Sequence, residues 1–139
     1  MRADLTKRYR FSASHRLHSA ALTEDENWRI YGKCNNPHGH GHNYALHVTV
    51  SGPVDAETGM VLDLAVLDLV VGEEVIEPFD RTFLNVEAFR QTIPTTENLC
   101  MEIFRRLNAR LMKEPSHGAA RLKKVLLEET SLNYFEYEG

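Results

Sequence analysis

Three histidines and one cysteine near the start of the chain have the residue types and spacing of a metal site beside a reactive thiol. His15 ends the segment Phe11–His15, whereas His40 and His42 follow Cys34 in a second segment. Imidazole nitrogen is a preferred ligand of zinc, and a site with three protein ligands keeps a fourth position open for chemistry. An all-imidazole donor set suits zinc, and two cysteines cannot form a thiolate quartet. The sequence therefore predicts a zinc site.

Cys34 lies six residues before His40, in a segment rich in Gly, Asn and Pro. A free cysteine is usually a small buried apolar residue, and Cys100, on the apolar side of a predicted helix, fits that description. Cys34 instead lies in a polar loop beside a predicted cation, where a thiolate is favoured. We interpret Cys34 as a catalytic base or nucleophile.

Two strands are needed to bring the imidazoles together. Alternating residues from Arg8 to His15 predict a strand whose apolar face ends at His15. A second strand, from about His42 to Ser51, places His40 on the same face as His42 if it extends that far back. Between them, Gly41 is expected to let the backbone approach closely and to relieve crowding of the two rings.

The rest of the chain predicts two helices and a hairpin. Apolar spacing after Asp63, a plausible N-cap, indicates a helix that stops at Pro78, and a second helix begins near Thr95 or Thr96 and closes at Pro115. A loop or short helical turn is expected over residues 23–27, and a hairpin over residues 121–138. The order ββααββ predicts an α+β fold, in which two helices cover one face of an antiparallel four-stranded sheet.

Glu129 is the unexpected residue of the hairpin. It continues the strand face of Val125 and Leu127, so its carboxylate either points inward or ends the strand in solvent. A buried carboxylate needs a partner. A flat donor edge, such as the amino group and ring NH of a pterin or guanine, would be accepted by both of its oxygens.

Length, net charge and cysteine count limit the classes of protein to which this chain can belong. A chain of 139 residues fits one domain spanning 1–139, and a net charge of −4 argues against nucleic acid as a general partner. Two cysteines exclude a disulfide scaffold, and no apolar run forms a signal peptide or spans a bilayer. We expect a soluble cytoplasmic protein without a membrane partner.

Six blocks of the sequence resemble the 6-pyruvoyl-tetrahydropterin synthase family, over about Tyr9 to Tyr137. The blocks are Phe11-Ser-Ala-Ser-His15-Arg-Leu, Gly32-Lys-Cys34-Asn-Asn-Pro, His40-Gly-His42-Asn-Tyr44, Thr58-Gly-Met-Val61, Thr95-Thr-Glu-Asn98 and Glu129-Thr130. The Cys-to-His interval is similar to that of the animal-type synthases. The related 6-carboxy-tetrahydropterin synthases of queuosine biosynthesis usually have a shorter one.

The resemblance implies a role for each matching residue. The implied zinc ligands are His15, His40 and His42. Cys34 becomes the general base and Glu129 the anchor of the pterin ring, while Thr96 and Glu97 would lie near the same pocket. The implied substrate is 7,8-dihydroneopterin triphosphate, which loses triphosphate as its side chain rearranges to a dicarbonyl. The family assembles as homohexamers of two stacked trimers, whose sheets close into barrels with active sites at subunit interfaces.

One block departs from the family pattern. Where the family has an Asp-His pair, this chain has Asp80-Arg81, so that Asp80 keeps its implied catalytic place and the relay histidine is replaced. A guanidinium stays protonated and cannot shuttle a proton as imidazole does. Arg81 could still stabilise the Cys34 thiolate or bind a phosphate.

Three alternatives to this synthase stay open. The first is a 6-carboxy-tetrahydropterin synthase, which would release acetaldehyde. The second, suggested by Arg81, is a weakened pterin-binding or scaffolding protein. The third is a three-histidine zinc hydrolase, which gives no role to Cys34 or Glu129.

Overall fold

A long antiparallel hairpin forms the centre of the fold in the computed structural model, which describes residues 1–86 and 88–139. Its strands are β1, Arg2–His15, and β2, His40–Pro53. The register pairs His15 with His40 and Ala13 with His42. Alternate β2 side chains from Tyr44 to Val50 are fully buried, as period-two alternation over a one-sided core requires. The prediction that the first two strands pair is confirmed.

The helical segments begin where the capping residues predict. Asp63 caps α2, Leu64–Val71, through Ala65 N–H, and Thr95 caps α4, Thr96–Lys113, through Asn98 N–H. After α2 the chain passes through one π turn, Gly72–Ile76, into the short α3, Glu77–Phe79. The prediction that Pro78 stops this helix is therefore wrong by one residue. Proline is tolerated there because it lies in the first turn of α3.

A further helix, α1, spans Glu24–Tyr31 and is longer than the loop or short helical turn predicted over residues 23–27. It starts with a capping box, in which Thr23 Oγ1 accepts from Glu26 N–H and Glu26 Oε1 accepts from Thr23 N–H. Its Trp28 and Ile30 are exposed, so the helix lacks the apolar stripe that would have marked it in the sequence.

The sheet has five strands in the order β3-β1-β2-β4-β5. The predicted tail hairpin is present as β4, Arg121–Thr130, and β5, Asn133–Tyr137. The prediction of four antiparallel strands is wrong, because β3, Thr82–Phe83, pairs in parallel with β1 and makes the sheet mixed. Two residues are too short to give a periodic signal in the sequence.

The core lies between one face of the sheet and the helices α2 and α4, which confirms the α+β class. It is formed by strand residues such as Leu46, Val48 and Leu127 and helix residues such as Leu67 and Ile103. Because β1 ends, β2 begins and β4 ends at the same edge of the sheet, residues from all three strands meet there. Within the described ranges, no helix has the length and hydropathy needed to cross a membrane.

Candidate functional site

His15 is the fully buried end of β1. Its Nδ1 lies 2.8 Å from the carbonyl oxygen of Pro94. A carbonyl only accepts, so Nδ1 carries the proton and the neutral ring presents the lone pair of Nε2. Burial lowers the pKa of His15, which keeps the ring neutral. The backbone contact therefore orients His15 as a metal-ligating histidine is oriented.

The imidazoles of the two strands form a contiguous group. The centroid of the His42 ring lies 4.9 Å from that of the His15 ring and 4.6 Å from that of the His40 ring. The His42 ring is nearly perpendicular to both. Burial also lowers the pKa of His42. Neither Nε2 of His15 nor Nε2 of His42 has a hydrogen-bond partner in the described part of the chain. Two buried imidazole nitrogens without hydrogen-bond partners among these residues are an arrangement that a bound cation would satisfy.

Glu129 points inward at the end of β4. Its Oε1 lies 3.1 Å from His42 Nε2 and 3.9 Å from His15 Nε2, while Oε2 accepts a 3.0 Å hydrogen bond from Asn133 Nδ2. Of the two orientations left open by the sequence, the structure has the inward one. The compact donor set of the described residues is His15, His42 and Glu129, with ligand atoms within 4.8 Å of one another. His40 lies beside this set through its contact with His42.

The glycine that the backbone requires is Gly39 rather than Gly41. A Cβ on Gly41 would meet nothing within 4 Å, so the expected close approach at that position is not found. Gly39 has φ +83° and a Cβ there would lie 3.3 Å from the Phe83 ring and 3.4 Å from the His15 carbonyl oxygen. The left-handed turn at Gly39 brings the chain into β2 next to the end of β1.

Cys34 lies in a 3-10 turn, Gly32–Asn35, that follows α1. Leu17 N–H donates to the Cys34 carbonyl at 2.7 Å, and Asn35 Nδ2 donates to the Leu17 carbonyl at 2.8 Å, which fixes the turn against the end of β1. Burial and the nearby Glu129 carboxylate raise the pKa of the Cys34 thiol. The polypeptide alone therefore favours the thiol, and formation of a thiolate requires a cation close by.

Tyr44 is a site residue that the sequence pattern did not reveal. Its strand position marks it as a core residue, and its ring stacks on Phe11, yet its buried hydroxyl has no hydrogen-bond partner in residues 1–86 and 88–139. Burial, followed by the Glu129 and Cys34 charges, raises the pKa of Tyr44. Thr96, at the start of α4, also has a buried hydroxyl without a hydrogen-bond partner of standard geometry among these residues, but it lies close enough to the Tyr44 hydroxyl to lower the pKa of Tyr44. Such groups commonly bind a ligand or water.

Three of the residues singled out in the sequence lie apart from this cluster. Glu97 is exposed in the first turn of α4. Asp80 accepts a 2.9 Å hydrogen bond from Ser12 N–H on the β3 side of β1, and Arg81, with φ 60°, is 90% exposed beside it. No ion pair or hydrogen bond joins Asp80 or Arg81 to Cys34 in the described residues.

The donors at the edge of the sheet fit a zinc ion. Imidazole nitrogens and a carboxylate oxygen are among its usual ligands, and the Pro94 carbonyl and Asn133 amide supply the outer contacts that orient such ligands. The fold and the site therefore define an α+β chain with a candidate metal centre and a cysteine held in a nearby turn.

Comparison with known proteins assigns the family within that class. Residues 4–139 match the family model described as 6-pyruvoyl tetrahydropterin synthase, and the chain belongs to this family. It is 42% identical over 139 residues to the 6-pyruvoyl tetrahydrobiopterin synthase of Drosophila melanogaster, covering 99% of this chain and 80% of the relative. The Homo sapiens protein of the same name is 41% identical, with 99% and 92% covered. These relatives support a lyase-type enzyme.

A solved structure gives the same result for the fold. The structure of Caenorhabditis elegans 6-pyruvoyl tetrahydropterin synthase has a TM-score of 0.90 and 40% sequence identity, and the match covers 100% of this chain and 96% of that one. The resemblance seen in the sequence blocks is therefore confirmed over nearly the whole chain.

Proposed function

We propose that this protein is a zinc-dependent 6-pyruvoyl-tetrahydropterin synthase. The proposed reaction converts 7,8-dihydroneopterin triphosphate to 6-pyruvoyl-tetrahydropterin and eliminates triphosphate. The observation that carries the proposal is the convergence on Glu129, near Cys34, of two imidazole nitrogens that have no hydrogen-bond partner among the described residues. A three-histidine hydrolase would leave both the inward carboxylate and the thiol without a role.

The proposed zinc ligands are His15, His40 and His42, the set implied by the family. His15 and His42 each have a buried nitrogen without a hydrogen-bond partner in the described part of the chain, and the His40 ring lies next to that of His42. When bound, zinc holds the side-chain hydroxyls of the substrate and makes the neighbouring C–H bonds more acidic. The residues around it position the substrate and remove the protons.

Cys34 is the proposed base that takes a proton from a side-chain carbon of the substrate. Because burial raises the pKa of its thiol, the thiolate depends on the charge of the bound cation. The 3-10 turn holds the Cys34 backbone by hydrogen bonds, so that only the side-chain torsion is left to be fixed when the substrate binds.

Glu129 is the proposed anchor of the pterin ring. Thr96 and Glu97 are proposed as further substrate-binding residues, although Glu97 is exposed and lies apart from the cluster within one chain. An ionised carboxylate accepts from the amino group and ring NH of a pterin through two parallel hydrogen bonds. Asn133 holds one of its oxygens, and the hydroxyls of Tyr44 and Thr96, which have no partner of standard geometry in the described part of the chain, can donate to acceptor atoms of the ring. The site thus offers both acceptors and donors to a flat heterocycle.

Asp80 is proposed as a catalytic residue that acts in the assembled protein. Within one chain it accepts a hydrogen bond from Ser12 N–H, and among the described residues no hydrogen bond or ion pair joins it to Cys34. The family's homohexamer, with sites at subunit interfaces, would allow Asp80 of one copy to complete the site of another. We propose this assembly and a cytoplasmic location for the protein.

Replacement of Arg81 tests the missing relay. Arg81→His should raise kcat at least about tenfold, because imidazole can exchange protons near neutral pH and general acid–base groups contribute factors of about 10² or more. The positive φ of Arg81 is tolerated by histidine better than by most residues. Steady-state kinetics with the substrate give the result, and Arg10→His, an exposed residue on β1, is the control. An unchanged kcat would make the loss of the relay histidine unimportant.

Metal dependence tests the proposal as a whole. The protein stripped with a chelator should release no triphosphate from 7,8-dihydroneopterin triphosphate, and stoichiometric zinc should restore release, whereas magnesium should not. The released triphosphate is measured directly by ion chromatography, or by a phosphate assay after enzymatic hydrolysis to phosphate. Full release from the metal-free protein, or none from the zinc-loaded protein, would contradict the proposed lyase.

A further inference from the structure

We infer that Asn35 is a positioning residue for Cys34. The inference rests on the proposed function, in which Cys34 is the base, and it adds a role for the residue that follows it. Asn35 belongs to the same sequence block, but no role follows from its residue type or spacing alone. Its side chain is buried, with 3% exposed, and a buried amide needs hydrogen-bond partners. Those partners lie in the segment that follows β1.

Both protons of the Asn35 amide nitrogen are used there. Nδ2 donates to the Leu17 carbonyl at 2.8 Å and lies 3.1 Å from His18 Nδ1. Because an amide nitrogen only donates, His18 Nδ1 is the acceptor. The neighbouring backbone also takes part, since Leu17 N–H donates to the Cys34 carbonyl at 2.7 Å. Cys34 and Asn35 together therefore bind both polar groups of the Leu17 backbone.

Arg16 adds a third connection between the same two segments. Its Nε donates to the Asn35 carbonyl at 3.1 Å. The Arg16 backbone is itself fixed by Asn85, whose Oδ1 accepts from Arg16 N–H at 2.7 Å and whose Nδ2 donates to the Arg16 carbonyl at 2.8 Å. An asparagine side chain can do this because it carries both a donor and an acceptor, as a peptide group does. Side chains thus hold the chain after β1 in the way that a neighbouring strand holds a strand.

These hydrogen bonds fix Cys34 relative to the imidazoles. Only Arg16 separates Leu17 from His15, the last residue of β1. Because the Cys34 backbone is bonded to Leu17, its place is tied to that of the first histidine through this short segment. A displacement of about 1 Å in a reacting group can cost a factor of about 10² in rate. Asn35 therefore influences the rate through the position of Cys34.

Asn35→Ala is expected to lower kcat about 10- to 100-fold, with KM within about twofold and the zinc content unchanged. The matched control is Asn27→Ala. Asn27 is also buried and bonds both backbone groups of Ser19, but its side chain binds residues 19–23 rather than the Cys34 turn. The control should lose stability and keep its kcat. Asn35→Asp keeps the side-chain shape without either donor proton, and it should show the same loss of kcat as Asn35→Ala.

A double-mutant cycle separates positioning from general damage. In the Cys34→Ala background, Asn35→Ala should change the remaining kcat by less than about twofold, because the group that it positions is absent. Equal fold losses in both backgrounds would overturn the inference. A kcat of Asn35→Ala within about twofold of that of Asn27→Ala would overturn it as well.

Hydrogen exchange of the Leu17 amide is a measurement that needs no turnover. This N–H donates to the Cys34 carbonyl, so we expect its exchange to be at least about tenfold faster in Asn35→Ala and within about threefold of the unmodified rate in Asn27→Ala. Unchanged exchange in Asn35→Ala would contradict the inference. Absence of turnover in the unmodified protein would instead count against the proposed lyase, and the exchange rates would still show whether Asn35 holds the turn.

Discussion

Cys34→Ala is expected to lower kcat by about 10² to 10⁴ while the protein keeps its full complement of zinc. The thiol is the proposed base, and a positioned general base contributes factors of that size. Its turn is held by backbone atoms of Leu17 and Cys34, so that removing Sγ leaves the histidines in place. Steady-state kinetics and metal analysis of the same preparation measure both quantities.

Cys100→Ala is the matched control for this variant. Cys100 is buried in α4, where burial raises the pKa of its thiol to about 12, and it is the other free cysteine of the chain. Its replacement should lower the melting temperature by a few degrees, because a small void is created in the core, and should leave kcat unchanged. Full activity in Cys34→Ala would refute the assignment of the base.

His42→Ala is expected to weaken zinc binding by at least about a hundredfold and to reduce turnover to the background rate. His42 contacts both other imidazoles and Glu129, so its loss removes the central donor of the cluster. Loss of an outer contact to a metal ligand already costs about 10- to 100-fold, and loss of a ligand itself should cost more. Chelator competition measures the affinity, and kinetics at saturating zinc measure the turnover.

His47→Ala separates this effect from general damage to β2. His47 belongs to the same strand but faces the opposite side of the sheet, where it approaches Glu128 at 3.6 Å. The His47→Ala variant should bind zinc with the same affinity as the unmodified protein. Equal zinc affinity in His42→Ala and His47→Ala would show that the metal site lies elsewhere.

Much of the site could be predicted because strands impose a period of two on side-chain direction. That rule predicted His15 on the buried face of its strand and His40 on the same face as His42. In the structure the two strands pair as expected. The rule could not decide the orientation of Glu129, because the pairing of β4 with β5 shifts register between Glu128 and Thr130, and such an irregularity breaks the alternation of side chains. The Asn133 hydrogen bond across the turn, which a one-strand pattern does not contain, holds the carboxylate inward.

Other features depend on contacts between distant segments. The β3 pairing joins Thr82 and Phe83 to β1 over a separation of about seventy residues, and only two residues take part. The requirement for glycine at Gly39 arises from the Phe83 ring and the His15 carbonyl, neither of which is near it in sequence. Whether the Tyr44 hydroxyl has a hydrogen-bond partner among the described residues depends on side chains that are distant in sequence. A local sequence pattern therefore cannot predict it.

The product formed from 7,8-dihydroneopterin triphosphate is the most direct test of the central claim. Zinc-loaded protein should convert it to 6-pyruvoyl-tetrahydropterin and triphosphate, identified by mass spectrometry under conditions that exclude oxygen. A 6-carboxy-tetrahydropterin together with acetaldehyde would assign the chain to the other branch of the family. Tight binding of a pterin without either product would contradict the claim that this site is catalytic.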